Sequence, residues 1–319
     1  MKRFLFILFF TVSTVAFTQN IATFKTENVA VNTLLNGTLY TPIKHNKKTN
    51  LVILIAGSGP TNRDGNQIGL TNNSLKLLAE ALANNGIAVY SYDKRIFAQM
   101  AAGKLDEASL SFDNFIDDAR SVLLYFKKQN KYHSITIAGH SEGALIGLVA
   151  ANGNADAYIS IAGAGRSIDE VLLEQIGKQA PFLKEEVEKN LAILKRGTTF
   201  ELKNQMLASL FRASVQPYMI SWIKYNPQTE IKKLQIPTLL INGDKDIQVS
   251  VHDAQLLQQA KPNAQLQIIS NMNHIFKEIK GDDEENKASY ANPDLPICNE
   301  LTSKINELTS KITTFIQSL

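Results

Sequence analysis

Ser141 stands between two glycines in the run Gly139-His140-Ser141-Glu142-Gly143, and G-x-S-x-G is the spacing a serine needs to be raised for attack. The nucleophile of such an elbow sits on a strained strand-to-helix turn, and only flanking glycines let the backbone bend that sharply. The chemistry served is acyl transfer. It needs a base for the hydroxyl proton, a carboxylate to hold that base in its tautomer, and donors for the oxygen on which charge develops. His274, in the segment Asn271-Met272-Asn273-His274, is the candidate base. His140, adjacent to the serine in a tight turn, and His252, inside an expected helix, are poorly placed. Asp244 and Asp246 both follow a strand end, and charge alone does not choose between them; one of the two could simply cap a turn or the next helix. The backbone N–H of Glu142 and one from the loop after Ala56, Ser58 by preference, are the candidate oxyanion donors.

Positioning these groups is the work of an alternating pattern. Leu51 to Ala56, Ile87 to Tyr92, Ile135 to Ala138, Ala157 to Ala162 and Thr238 to Asn242 are short apolar runs of the kind buried on both faces of a parallel sheet. Between them lie helical patterns, the clearest running from Phe112 to Phe126 with Phe112, Phe115, Ile116, Ala119, Val122, Leu123 and Phe126 at steps of three and four. Helices at Leu75 to Leu82, Ala144 to Ala151 and His252 to Gln259 complete it. The alternation predicts an α/β protein with a mostly parallel sheet covered on both sides. Ile21 to Thr26 and Leu34 to Tyr40 are expected to form a flanking hairpin, and Gln265 to Ser270 an edge strand. Asp93, Lys94 and Arg95 fall in a loop, and 277–298 reads as a surface loop before a closing helix carrying Leu301, Ile305, Leu308, Ile312, Phe315 and Ile316. Between Gly165 and Pro237 the strands lapse into helical patterns, an insertion that could cover the site or merely pack beside it. Met206, Phe211, Tyr218 and Trp222 are its pocket candidates.

Composition narrows the partners. The 319 residues, 44% hydrophobic, suit one large α/β domain, and the net charge is +3. Lys2 and Arg3 followed by the apolar run Phe4 to Phe10, with small residues up to Thr18, read as a signal peptide over residues 1–18 rather than a membrane span. Its removal would leave 31 basic against 30 acidic residues, so nucleic acid is not an expected partner. The single cysteine, Cys298, excludes an intrachain disulfide. None of the five histidines forms an H-E-x-x-H pair, so neither zinc nor another metal is expected.

The elbow Gly139 to Gly143, the G-x-x-D-x-x-V segment Gly243 to Val249 and the Asn273-His274 pair resemble the α/β-hydrolase superfamily, and the order serine, acid, histidine is the one it uses. Ile55 to Asn66, reading I-A-G-S-G-P-T-N-R-D-G-N, is similar to the matching segment of exported bacterial serine esterases. The resemblance runs from about Leu34 onward. It implies an eight-stranded, mostly parallel sheet with a helical cap over residues 166–236 between core parts 19–165 and 237–319. It also implies a cofactor-free serine hydrolase acting on small carboxylic esters, with no stable membrane span after leader removal, and with Asp246 as the acid at the fourth position of its motif. Amide or thioester hydrolysis, acyl transfer, and an inactive fold kept for binding are the alternatives. One departure stands out: where such chains commonly read D-x-R-G-x-G, this one has Asp93, Lys94, Arg95, Ile96, Phe97, Ala98. Without those glycines Ile96 and Phe97 could line the pocket, and Arg63, Asp64, Asp93 and Arg95 read as structural ion pairs beside it.

Overall fold

In the central strand β3 (Leu51–Ile55) every residue is buried, because successive side chains leave a strand on opposite faces and both faces here are covered. Leu51, Ile53 and Ile55 enter one core, which takes in the helices α3 (Phe112–Gln129) and α4 (Glu142–Ala151). Val52 and Leu54 enter the other, built on α1 (Ser74–Asn84) and on Leu301 and Ile305 of a helical stretch at 299–307. The computed structural model describes residues 23–307. The expected leader at 1–18, together with Ile21, Leu308, Ile312, Phe315 and Ile316 of the expected hairpin and closing helix, lies outside the described residues.

The other strands are β1 (Phe24–Ala30), β2 (Asn36–Pro42), β4 (Ala88–Tyr92), β5 (Ile135–His140), β6 (Ala157–Ile161), β7 (Thr238–Gly243) and β8 (Gln265–Ile269). They form one eight-stranded sheet in the order β1-β2-β4-β3-β5-β6-β7-β8. Only the β1–β2 and β2–β4 pairs are antiparallel. Consequently β3, β5, β6, β7 and β8 all end on the same rim, where loops from different parts of the chain can meet. Helix α10 (Val251–Ala260) packs on β7 and β8, and the chain also forms α2 (Arg95–Ala101) and, within the insertion, α5 (Ile168–Gln179), α6 (Lys184–Lys195), α7 (Ala208–Phe211), α8 (Gln216–Ile223) and α9 (Pro227–Ile231).

The insertion has an apolar centre of its own, with Val187, Leu191, Leu194, Leu207, Phe211 and Met219 packed together. Gln216 closes it: wholly buried, its amide accepts from Phe200 N and donates to the carbonyls of Phe200 and Phe211.

Three local expectations need correction. The first strand runs to Ala30, further than Thr26, because it is a mostly exposed edge strand without an apolar signature; an Asn32 side chain accepting from Leu34 N and Leu35 N makes the turn. Arg95 to Ala101 is helix α2 rather than loop, since Ile96 and Ala98 stand where the resemblance would put glycines. Residues 277–298 are not simply surface: they contain α11 (Asp283–Ser289), capped by the Asp282 carboxylate, and Lys277, Ile279 and Cys298 are buried.

Lys277 is the costly member of that segment. Its ammonium donates to the Leu295 carbonyl, and burial brings its pKa down from 10.5 to about 8. The unfolded chain therefore binds more protons between about pH 8 and 10.5, so this group's penalty is full below pH 8 and fades as pH rises through that window. Lys277→Met should melt at a higher temperature than the parent at pH 7, with the advantage shrinking toward pH 10. An advantage independent of pH would refute the assignment.

Candidate active site

Ser141 follows β5, at the centre of the rim, with φ 55° and ψ −120°. A side chain at positive φ is strained. The turn is held by Ser141 N donating to Ile161 O at 3.0 Å and Ala144 N donating to Ser141 O at 2.9 Å. The glycines are sterically required: a Cβ on Gly139 would lie 2.0 Å from Gly143 O, and one on Gly143 would lie 2.4 Å from Ile55 O. Behind the turn α4 is buried at every position, so its N-terminal N–H groups sit at a fixed place beside Ser141.

Asp246 and His274 come from the loops after β7 and β8, which are parallel neighbours. At Gly243 a Cβ would lie 1.8 Å from Met272 O, so glycine there allows the two loops to cross in contact. His274 Nδ1 lies 2.8 Å from Asp246 Oδ2, with the two side chains 4% and 1% exposed. The other carboxylate oxygen accepts from Gln248 N at 2.8 Å and Val249 N at 2.9 Å. Facing an acceptor-only carboxylate, Nδ1 carries the imidazole hydrogen, and Nε2 is left as the basic nitrogen. Asp244 is not part of this arrangement; its Oδ1 accepts from Asn271 N at 2.7 Å and so steadies the histidine loop.

Ser141 and His274 line one cavity of about 310 Å³, with Gly57, Ser58, Thr61, Gln67, Asn72 and Tyr290 among its other walls. A second, of about 200 Å³, reaches Ser141, Ser58 and Glu142 from the side of the insertion. Ser58, expected to supply an N–H, is exposed and common to both.

Five side chains have roles that the sequence reading did not assign to them. His140 is not idle: its Nε2 lies 2.9 Å from the His274 carbonyl oxygen, and since a carbonyl only accepts, Nε2 donates. Burial, and then the neighbouring His274, hold its pKa well below the usual imidazole value, so it works as a neutral strut. Asn273, wholly buried, accepts from Ile275 N and Lys277 N and donates to Asn286 Oδ1 and Ser289 Oγ, which ties the histidine loop to α11. Lys94 and Glu142 form a buried ion pair at 2.6 Å, and Tyr218 of α8 donates to the other Glu142 oxygen at 2.5 Å. Desolvation and that carboxylate push the Tyr218 hydroxyl well above its ordinary pKa. Lys94 Nζ also donates to Gly57 O at 2.5 Å and Gly59 O at 3.3 Å. Gly57 C=O and Ser58 N–H belong to one planar trans peptide, so fixing the carbonyl fixes the opposite direction of the N–H.

Of the flanking charges, Arg63 pairs with Asp93 at 2.6 Å and Arg95 with Asp118 at 2.7 Å. Asp64 does not join them; its carboxyl is raised by burial, and its backbone carbonyl accepts from Leu75 N and Lys76 N. Ile96 does line a cavity, whereas Phe97 packs against the core. Of the insertion's pocket candidates Tyr218 and Trp222 face cavities, Phe211 lies in the insertion's own core, and Met206 is 66% exposed.

Est1E from Butyrivibrio proteoclasticus superposes with a TM-score of 0.55 over 92% of this chain and 99% of its own, at 16% identity. The α/β hydrolase GrgF from Penicillium sp. sh18 does so with a TM-score of 0.55 over 91% and 99%, at 14% identity. The chain has the α/β-hydrolase fold. Residues 70–216 match a family described as serine aminopeptidase, S33. That stretch holds the elbow and most of the insertion and stops short of Asp246 and His274. In sequence the chain is 28% identical over 245 residues to Esterase EstD of Thermotoga maritima, covering 75% of this chain. It spans little more than half, 57%, of that relative's length.

Proposed function

We propose that this chain is a serine hydrolase of carboxylic esters, acting through an acyl-enzyme on Ser141 with His274 as base and Asp246 as orienting acid. The observation that carries the reading is the Asp246–His274 pair, with no hydrogen-bond partner for His274 Nε2 among the described residues, at the wall of the cavity that Ser141, strained at positive φ, also lines. In the first half-reaction Ser141 Oγ bonds to the ester carbon and passes its proton to His274 Nε2. The carbon–oxygen bond to the alcohol then breaks, and His274 returns the proton to the leaving oxygen. Water repeats the sequence on the acyl-enzyme, releasing the acid and restoring Ser141. The N–H groups of Glu142 and Ser58 are the proposed oxyanion donors, each contributing about 3 kcal/mol to the transition state. The name of the Thermotoga maritima relative, an esterase, favours ester over amide; the S33 description keeps aminoacyl amides in the test.

Incubation with a fluorophosphonate should label the folded protein once, on the peptide containing Ser141, and abolish hydrolysis of p-nitrophenyl esters. Absence of labelling on folded protein would leave a binding protein instead, and faster turnover of aminoacyl amides than of esters would replace esterase by aminopeptidase. Export is part of the same proposal and rests on Lys2, Arg3 and the apolar run after them. Among the described residues no helix is long and apolar enough to cross a membrane.

A further inference from the structure

The two sides of Ser141 differ in chemistry. On the His274 side, the 310 Å³ cavity has the uncharged hydrogen-bonding groups Thr61, Gln67, Asn72, Ser74, Gln248 and Tyr290 in its wall, beside Leu70 and Ile275. Several already bond to one another or to nearby backbone. Gln67 Nε2 donates to Thr61 Oγ1 at 2.7 Å and to Ser58 O at 3.1 Å, and Gln248 Nε2 donates to Tyr290 OH at 3.1 Å. That fixes the groups in place, and an amide and a phenol each retain further donor or acceptor capacity.

On the insertion side, Leu210, Met219 and Trp222 wall both the 200 Å³ cavity at Ser141 and an adjoining one of about 380 Å³. The smaller one also has Arg166, Gln175 and Gln248 in its wall, Gln248 being shared with the His274 side and Arg166 being paired with Glu174 and Asp253. The larger one opens past Ile68, Met100 and Leu105, which are 82%, 46% and 40% exposed. Its charged lining residues are mutually paired, Lys94 with Glu142 and Glu107 with Arg212, so no uncompensated charge awaits a ligand there. Apolar surface left open beside a candidate site marks a place where apolar ligand surface is removed from water.

The ester mechanism sets which half of a substrate goes where. The leaving oxygen must take its proton from His274 Nε2, so the alcohol lies on the side that His274 lines. The acyl chain, bonded to Ser141 and needing no proton, takes the side that His274 does not line. From this we infer that the substrate is an ester of an alkyl acid of medium to long chain with an uncharged, hydroxyl-rich alcohol of the sugar or polyol class. The chain lies along Leu210, Met219 and Trp222, and the hydroxyls meet Gln67, Asn72 and Gln248. The inference rests on the ester-hydrolase reading and deepens it. Because the larger cavity is open to solvent at its apolar mouth, long chains are accommodated rather than cut off at a fixed length.

The test is a comparison of kcat/KM on the unmodified protein for glucose decanoate, glucose acetate, butyl decanoate and decyl gluconate, the last reversing the polarity of the two halves. Glucose decanoate should exceed each of the others at least tenfold. Leu210→Trp, which places an indole in the shared wall, should lower the ratio of glucose decanoate to glucose acetate by tenfold or more. Gln67→Leu should lower the ratio of glucose decanoate to butyl decanoate. Equal rates across the four esters, or preference for decyl gluconate, overturns the inference even when the fluorophosphonate labels Ser141. So does labelling with turnover of none of them. Failure of the labelling itself overturns the hydrolase reading instead, so the two failures are distinct.

Discussion

Asp246→Ala is expected to lower kcat on a p-nitrophenyl ester by about four orders of magnitude, the scale found when the acid of a serine triad is removed. Asp244→Ala, two residues away, should change it by less than roughly tenfold, far below that scale. The difference follows from what each carboxylate touches. Asp246 Oδ2 holds the hydrogen on His274 Nδ1, and without it the imidazole can carry its hydrogen on Nε2, the nitrogen that must receive the serine proton. Asp244 acts one step away, on Asn271 N, and its loss loosens the loop that carries His274 without altering the tautomer. It should cost stability of about 1 kcal/mol, the usual worth of a single hydrogen bond. Steady-state kinetics of the two variants, beside a thermal melt, check both halves. Equal loss of kcat would mean that the Asp246 contact does not govern the base.

What could be read from one sequence here was what local geometry dictates. Gly139 and Gly143 announced the elbow, because the clashes that forbid a side chain there arise between residues a few positions apart or from the neighbouring strand. Apolar runs such as Leu51 to Ile55 announced the sheet, since burial on both faces leaves no polar position. β1 gave no such signal: as a mostly exposed edge strand it carries Lys25, Glu27 and Asn28, and its register comes from pairing with β2. The supports of the site were hidden for a different reason. Lys94 and Glu142 are 48 positions apart, Tyr218 lies 76 beyond Glu142, and His140 meets His274 across 134. Charged and aromatic residues of those types are ordinarily solvated or core, and nothing in their spacing reports a shared partner. A lysine two residues past the end of the buried strand β4, beside the candidate site, was the one available hint.

Breaking the Lys94–Glu142 pair should separate stability from turnover. With Lys94 and Glu142 side chains 5% and 3% exposed, Lys94→Met leaves a buried carboxylate without its cation, which should cost about 3–5 kcal/mol in a denaturant melt. Replacing the whole group by apolar residues, Lys94→Met with Glu142→Leu and Tyr218→Phe, removes the stranded charge and the phenol that bonded it. Such exchanges are typically neutral or stabilising, so the triple variant should recover most of the loss. Turnover should not recover with it. Lys94 is the donor that holds the Gly57 and Gly59 carbonyls, and through the Gly57–Ser58 peptide it sets the direction of the proposed oxyanion N–H. A misdirected donor costs about 10²–10³ in kcat, and that deficit should persist in the triple variant with KM for a short ester little changed. If kcat returns along with stability, the pair serves packing alone, and the orientation of the Ser58 N–H comes from the rest of the loop.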